Sequence, residues 1–293
     1  MTDHPMTPVF MAFFAAILWG IWWAPILFLE TLGLGGAWGS VAMSAGAALI
    51  VGVWMLATRA RLAISPRGLA GAILVGTAVT TYSAALIMAD VVRVILLFYL
   101  APAWGKLLEW AFMGQRWHWD STFALAASLS GAYLVLGGDV ATIALGTGDV
   151  LAVLSGMAWA AGAALVFTGP RQSPATLTLA TAAAATALGL AFIILDPVGV
   201  FRGQVSAPGM AAGVAIGTVY VMPIMFLTLW SAQRLSPAVI SFLLTAEILS
   251  GVISGALFLE EPFGMMQAAG AGLILLAAVS QVLPAILKTK TPV

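Results

Sequence analysis

Apolar stretches of about 18 to 25 residues follow one another from end to end of this chain. Each is long enough to cross a hydrocarbon core of about 30 Å as an α-helix. Of the 293 residues, 62% are apolar and 8% charged, whereas an average soluble domain is roughly a quarter charged. A water-soluble fold of this size has too little interior for that apolar surface, so lipid is the solvent. The fold class is therefore all-α, a polytopic membrane protein.

Breaks at Gly, Pro and charged clusters divide the chain into ten expected spans: 9–30, 37–57, 68–88, 92–113, 121–138, 150–168, 174–195, 208–231, 237–259 and 265–287. No connection between them is long enough for a soluble domain. The opening "MTDHPMTPVF" lacks the basic region and cleavage site of a signal peptide, so the run after it is read as the first span. Short loops rich in Lys and Arg stay cytoplasmic. With the N-terminus inside, that side holds Arg59, Arg61, Arg67, Arg116, Arg171, Arg234, Lys288 and Lys290. The other side holds Arg202 and Arg93 with Glu30, Asp90, Asp139, Asp149, Asp196, Glu260 and Glu261. Both termini are thus expected to be cytoplasmic.

Two segment pairs show internal similarity. "AFFAAILWGIWWAPILF" (12–28) aligns with "AVLSGMAWAAGAALVFT" (152–168), setting Trp19 on Trp159. "LLFYLAPAWGKLLEWAFMGQRW" (96–117) aligns with "SFLLTAEILSGVISGALFLEEP" (241–262). Halves 1–140 and 141–293 would each hold five spans, and an odd number inverts the second half in the membrane. Two inverted repeats that rock about a central site are a transporter architecture.

The repeat, "AAILWG" (15–20), "MAWA" (157–160), "FYLAPAWGKLLEWAFMGQRW" (98–117), "LVLGGD" (134–139) and "LTAEILSGVISGALFLEEP" (244–262) resemble the drug/metabolite transporter superfamily, EamA type. "LGLGGAWGSVAMSAG" (32–46) and the block from "MGQR" to "LGGD" are similar to YddG-type exporters of aromatic and other amino acids. The resemblance implies an amino-acid exporter with a central cavity in a bacterial inner membrane, without a cofactor. One departure is Gln115, where the usual pattern has a carboxylate.

Charges inside spans mark the candidate site. A charged residue at mid-bilayer costs about 2.5–3.5 kcal/mol on insertion scales and faces the bundle interior or a wet cavity. Lys106 and Glu109 are three apart, on one helical face with Tyr99 and Pro102. Two readings stand for this pair: an intrahelical ion pair that eases insertion, or groups that touch the substrate. The second half has Gly251 and Ser254 at the matching positions, an asymmetry that favours a role in function. Glu247, set opposite Pro102 by the repeat, is expected to pair with Lys106, to accept a substrate ammonium or to carry a proton. The bland alternative is a bond from Ser241, Thr245 or Ser250.

A free amino acid needs an anion for its ammonium, a donor for its carboxylate and an apolar wall. Lys106, Glu109 and Glu247 could supply the polar contacts. Trp19, Trp22, Trp23, Tyr82, Tyr99, Trp159 and Tyr220 are candidates for the wall. Gly213 with Gly217, and Gly251 with Gly255, offer flat faces for close helix packing. Pro25, Pro102 and Pro223 are candidate hinges.

Other classes fare worse. "GTGD" (146–149) matches a membrane aspartyl protease pattern, but that chemistry needs a second deep aspartate, and a helix cap explains Asp149. His4 and His118 lie outside the spans, and the chain has no cysteine, which leaves no metal site and no thiol or Ser-His chemistry. An enzyme is not expected. The scattered basic residues show no nucleic-acid footprint. Sugar phosphates require several deep cations, whereas a lipophilic-cation exporter would suit the aromatics and glutamates. The partners expected are a small-molecule substrate and the bilayer.

Overall fold

The structure, a computed structural model, describes residues 7–112, 116, 119–135, 145–168, 170–235, 243–244, 246–259 and 263–288. The described elements are α1 (Thr7–Gly20), α2 (Trp23–Thr31), α3 (Trp38–Ala57), α4 (Pro66–Met88), α5 (Val91–Phe98), α6 (Ala101–Phe112) and α7 (Trp119–Val135), then α8 (Thr147–Thr168) and α9 (Pro174–Leu195). After them come α10 (Ala207–Ile216), a π-helical turn (Gly217–Val221), α11 (Met222–Ala232), α12 (Ala246–Phe258) and α13 (Met265–Lys288). Among the described residues there is no strand, only an isolated bridge between Gly36 and Arg202.

Among the described residues six segments are long and apolar enough to span, seven if the bent pair α1–α2 is one span. Three shorter apolar helices accompany them: Thr122–Val135, Ala246–Phe258 and Met265–Ala277. Large apolar side chains such as Phe10, Phe14, Leu49 and Trp54 point outward, while Ser83, Ser155, Thr228 and Glu247 are buried. That inversion suits a protein surrounded by lipid, where interior polar groups bond across helices. The chain is an integral multi-pass membrane protein. The sequence boundary between halves at 140–141, the Gln115 departure and the first part of the expected span 237–259 lie outside the described residues.

Three expected spans carry a local irregularity, and each irregularity precedes a proline. Pro25 has no N–H for the carbonyl of Ile21, and the chain there makes tighter turns: Ile21 N donates to Leu18 O (3.2 Å), Trp22 N to Trp19 O (3.1 Å) and Ala24 N to Ile21 O (3.1 Å). The result is a 43° bend between α1 and α2. Pro102 likewise leaves the Phe98 carbonyl without its helical donor, and the helix breaks at Tyr99–Leu100. Pro223 follows the π-helical turn of 217–221. The spans expected over 92–113 and 208–231 correspond to the single apolar segments Val91–Phe112 and Ala207–Ala232, and the one expected over 9–30 is a bent pair.

Contacts between helices are close where glycine faces backbone. A Cβ on Gly46 of α3 would lie 2.2 Å from the carbonyl oxygen of Val214, and one on Gly217 would lie 2.0 Å from that of Met43. Gly213 faces Ala42, and Gly251 of α12 faces Ile95 and Gly20. The most extensive packing joins α4 to α8 and α9, α3 to α9 and α10, α1 to α11 and α12, α8 to α5 and α6, and α7 to α13.

At one end of the bundle, the loop after α9 is strapped to the loop before α3. Gly35 N donates to Gln204 O (3.0 Å) and Ala37 N to Phe201 O (3.1 Å). Asp196 organises this loop by accepting from the backbone N–H groups of Val198 (3.0 Å), Gly199 (2.9 Å) and Phe201 (2.6 Å). Desolvation pushes the Asp196 carboxyl upward, but these donors and the Arg202 guanidinium together hold it below its ordinary 3.8. A folded pKa below the unfolded one contributes stability that is complete above the unfolded value and fades as pH falls through the folded one. Thermal unfolding in detergent should therefore show wild type losing stability below about pH 4, with a smaller acid loss for Asp196→Asn. Identical pH profiles would remove the loop carboxylate from the account.

Candidate functional site

Five aromatic rings meet where α1, α4, α5 and α8 converge on α12. Trp19, Trp22, Tyr82, Phe98 and Trp159 line one cavity with Ala78, Val79, Leu244 and Glu247. The open space is about 30 Å³, room for one or two waters, whereas ligand pockets commonly run to about 300 Å³ or more. The walls must separate before a ligand of ordinary metabolite size can enter.

Local sequence explains how these rings are held. The bend before Pro25 brings Trp19 and Trp22 together, their ring centres 5.1 Å apart. The Trp19 indole donates to Thr228 Oγ1 (3.1 Å) and that of Trp22 to Ser83 Oγ (3.1 Å), each on another helix. A buried indole N–H usually finds such an acceptor, and these two bonds tie the Trp19 and Trp22 rings to neighbouring helices. Tyr220 stacks on Trp22 with centres 6.3 Å apart and donates to the Leu18 carbonyl (2.5 Å) beside the bend. Trp23 donates to Ser254 Oγ (3.0 Å) and does not line the cavity. Tyr82 meets Phe98 edge to face at 5.3 Å, and Phe98 lies 6.3 Å from Trp159.

Glu247 is the charged residue in this lining, buried to 8% exposure in the first turn of α12. Tyr99, in the break between α5 and α6, places its hydroxyl 2.9 Å from Glu247 Oε2 and 2.7 Å from the Leu244 carbonyl. A phenol has one proton, so the two acceptors compete for it. An ionised Glu247 accepts it, and a protonated Glu247 can donate to the phenol oxygen while Tyr99 bonds Leu244. The arrangement satisfies both protonation states of the carboxyl group.

The placement differs from what the sequence suggested in more than one respect, since Trp23, Tyr99 and Tyr220 also stand outside the lining. Lys106 is half-buried on α6 and does not belong to the cavity wall, and Glu247 pairs with Tyr99. A turn at Tyr99–Leu100 separates α5 from α6 within the single apolar segment Val91–Phe112. Ser250 donates to the carbonyls of Ile17 and Glu247, not to the carboxylate. Ser241, Thr245 and the side chains of Pro102 and Glu109 lie outside the described residues. Phe98 escaped notice in the sequence although it neighbours Tyr99 and precedes Pro102. The Phe98 carbonyl that Pro102 leaves without a helical donor abuts Gly156, where a Cβ would lie 2.5 Å away.

Asp149 serves a different purpose. It sits in the first turn of α8, accepts from Gly146 N (2.9 Å) and pairs with Arg93 at 2.6 Å. It is a residue inside the helix reaching back to the N-terminus, the reverse half of a capping box, and not the cap itself. Among the described residues no group of three His, Asp or Glu could hold a metal ion.

The Tyr99 hydroxyl gives a direct test of this geometry. Hydrogen bonds to charged groups contribute about 1.5–3 kcal/mol, so Tyr99→Phe should lower transport about ten-fold or more at low substrate. Unchanged transport would make the Tyr99–Glu247 contact incidental.

Residues 146–282 match the EamA-like transporter family. The match gives the second half of the chain an EamA-like transporter domain and supports the drug/metabolite transporter superfamily. A solved crystal structure, described only as "Crystal structure of protein", is similar over 97% of this chain and 99% of its own, with a TM-score of 0.60 and 19% identity. At that identity the two share a fold. No curated protein matches the chain.

Proposed function

We propose that this chain, EamA-like over residues 146–282, is a ten-span exporter that moves amine-bearing metabolites, chiefly neutral and aromatic amino acids, by alternating access. The observation that carries this reading is the cavity of five aromatic rings around the Tyr99–Glu247 pair. A buried carboxylate attracts an ammonium, and aromatic faces accept both the cation and an apolar side chain. The amino-acid class and a bacterial inner-membrane location also draw on the resemblance to YddG-type exporters, and the cytoplasmic termini on the distribution of Lys and Arg.

The pattern of helix packing supports two inverted repeats of five spans. Let spans one to five exchange with six to ten. The α4–α8 contact then becomes α1–α11, α4–α9 becomes α3–α10, and the contacts of α8 with α5 and α6 become α1–α12. The α3–α9, α5–α12 and α7–α13 contacts map onto themselves. Each of these appears among the strongest contacts in the molecule. Rocking of the two halves would use the interruptions before Pro25, Pro102 and Pro223 and open the cavity to one side at a time.

A lipophilic-cation exporter is the second reading, favoured by a lining whose charge is Glu247 alone. On the amino-acid reading, Lys106, with Glu109 three residues away, is the candidate for the substrate carboxylate as the walls part. The same lining offers phosphate nothing, which disfavours sugar phosphates and nucleotide sugars. Counterflow in liposomes separates these readings. Labelled threonine, methionine or phenylalanine should accumulate when unlabelled amino acid is inside. Exchange of a cationic dye or a sugar phosphate with no exchange of any amino acid would overturn the proposal.

A further inference from the structure

Two loops that lie far apart in the sequence share a cleft where α4 and α9 begin. It measures about 600 Å³ and is lined by Arg61, Leu62, Ser65, Arg171, Gln172 and Ser173, among others, none of them acidic. The positive-inside rule accounts for arginines on this face. It does not account for two of them being held across one cleft. Ser65 N donates to Gln172 Oε1 (3.2 Å), and Gln172 Nε2 donates back to Ser65 Oγ (3.1 Å), which locks the loops together. The ion pair seen among the described residues is Arg93–Asp149, and neither Arg61 nor Arg171 takes part in one. Between them Leu62 stands 67% exposed. Both loops run straight into spanning helices at Pro66 and Pro174, so the cleft lies at the depth of lipid headgroups.

We propose that this cleft binds the headgroup of an anionic phospholipid. The guanidinium groups of Arg61 and Arg171 receive the phosphate oxygens in the forked geometry that arginine favours. Leu62 supplies an apolar contact at the glycerol level, which a free anion would leave unused. Fixing the loops that join α3 to α4 and α8 to α9 places the lipid where it bridges the two proposed halves.

The test is lipid retention by the purified full-length protein, measured by native mass spectrometry. The probes are phosphatidylglycerol, phosphatidylcholine and inorganic phosphate. Phosphatidylglycerol should be retained in preference to phosphatidylcholine, and R61Q/R171Q should bind it about thirty-fold more weakly, from two arginines near a membrane surface. R67Q, a like charge change on the same face but outside the cleft, should lose no more than about five-fold, the general effect of one charge near the surface. Should the double variant not fold, wild type alone decides: the preference for phosphatidylglycerol must weaken as salt rises. Equal retention of the two lipids, unchanged retention by R61Q/R171Q, an R67Q loss as large as the double variant's, or displacement of the lipid by inorganic phosphate overturns the proposal, the last assigning the cleft to free anions.

Discussion

Glu247→Gln should lower transport of amine-bearing substrates at least about a hundred-fold while leaving the protein folded in the membrane. The amide keeps an oxygen for the Tyr99 hydroxyl, which lies 2.9 Å from Glu247 Oε2, so the local hydrogen bonding survives. What disappears is the negative charge in a wall otherwise made of aromatic and aliphatic groups. Removing one partner of a buried ionic contact typically costs about 3–5 kcal/mol, enough for that loss. Transport and gel filtration on the same preparation separate the two effects. Wild-type transport by Glu247→Gln would return this carboxylate to a structural role.

The second large effect is on stability, where α3 crosses α10 and the π-helical turn. A Cβ on Gly46 would press against the backbone of Val214 at 2.2 Å, and backbone cannot step aside as a flexible side chain can. Gly46→Ala should cost about 1–3 kcal/mol from overpacking. Gly46→Leu should cost more and leave little folded protein. Gly105 and Gly272 provide the contrast, because a Cβ at either meets nothing within 4 Å. Alanine there should be neutral or stabilising by about 0.5–1 kcal/mol, through helix propensity alone. The check is unfolding of each variant in detergent. Equal effects at all three glycines would mean that the close crossing does not set stability.

The all-helical fold was legible because a spanning helix announces itself by length and hydropathy. The helix irregularities were legible in kind, since a proline has no N–H wherever it stands, and Pro25, Pro102 and Pro223 each follow one. Glu247 was legible as a lone charge in an oily run. Lys106 gave the same signal, yet it stands outside the cavity wall. Spacing along one helix shows which residues share a face, but not what that face meets. The Tyr99–Glu247 contact joins residues 148 apart, beyond any local pattern. The repeat alignment held a clue to it, for it set Tyr99 on Leu244 and Pro102 on Glu247, and Tyr99 bonds both Leu244 and Glu247.

The anchoring of the indoles was also out of reach. Trp19 and Trp22 were candidates from chemistry alone, but their acceptors Thr228 and Ser83 lie on other helices. A serine in an apolar helix more often bonds its own backbone, and Ser83 does this too, donating to Val79 O (2.9 Å) while accepting from Trp22. Its sequence context therefore looks the same in either role.

The central claim is that the cavity recognises an ammonium group at Glu247. The most direct measurement is counterflow of labelled phenylalanine into liposomes preloaded with either phenylalanine or its deaminated analogue, 3-phenylpropionate. Phenylalanine inside should drive uptake, and 3-phenylpropionate, with the same ring and carboxylate but no ammonium, should drive none. Equal uptake from both would contradict the account.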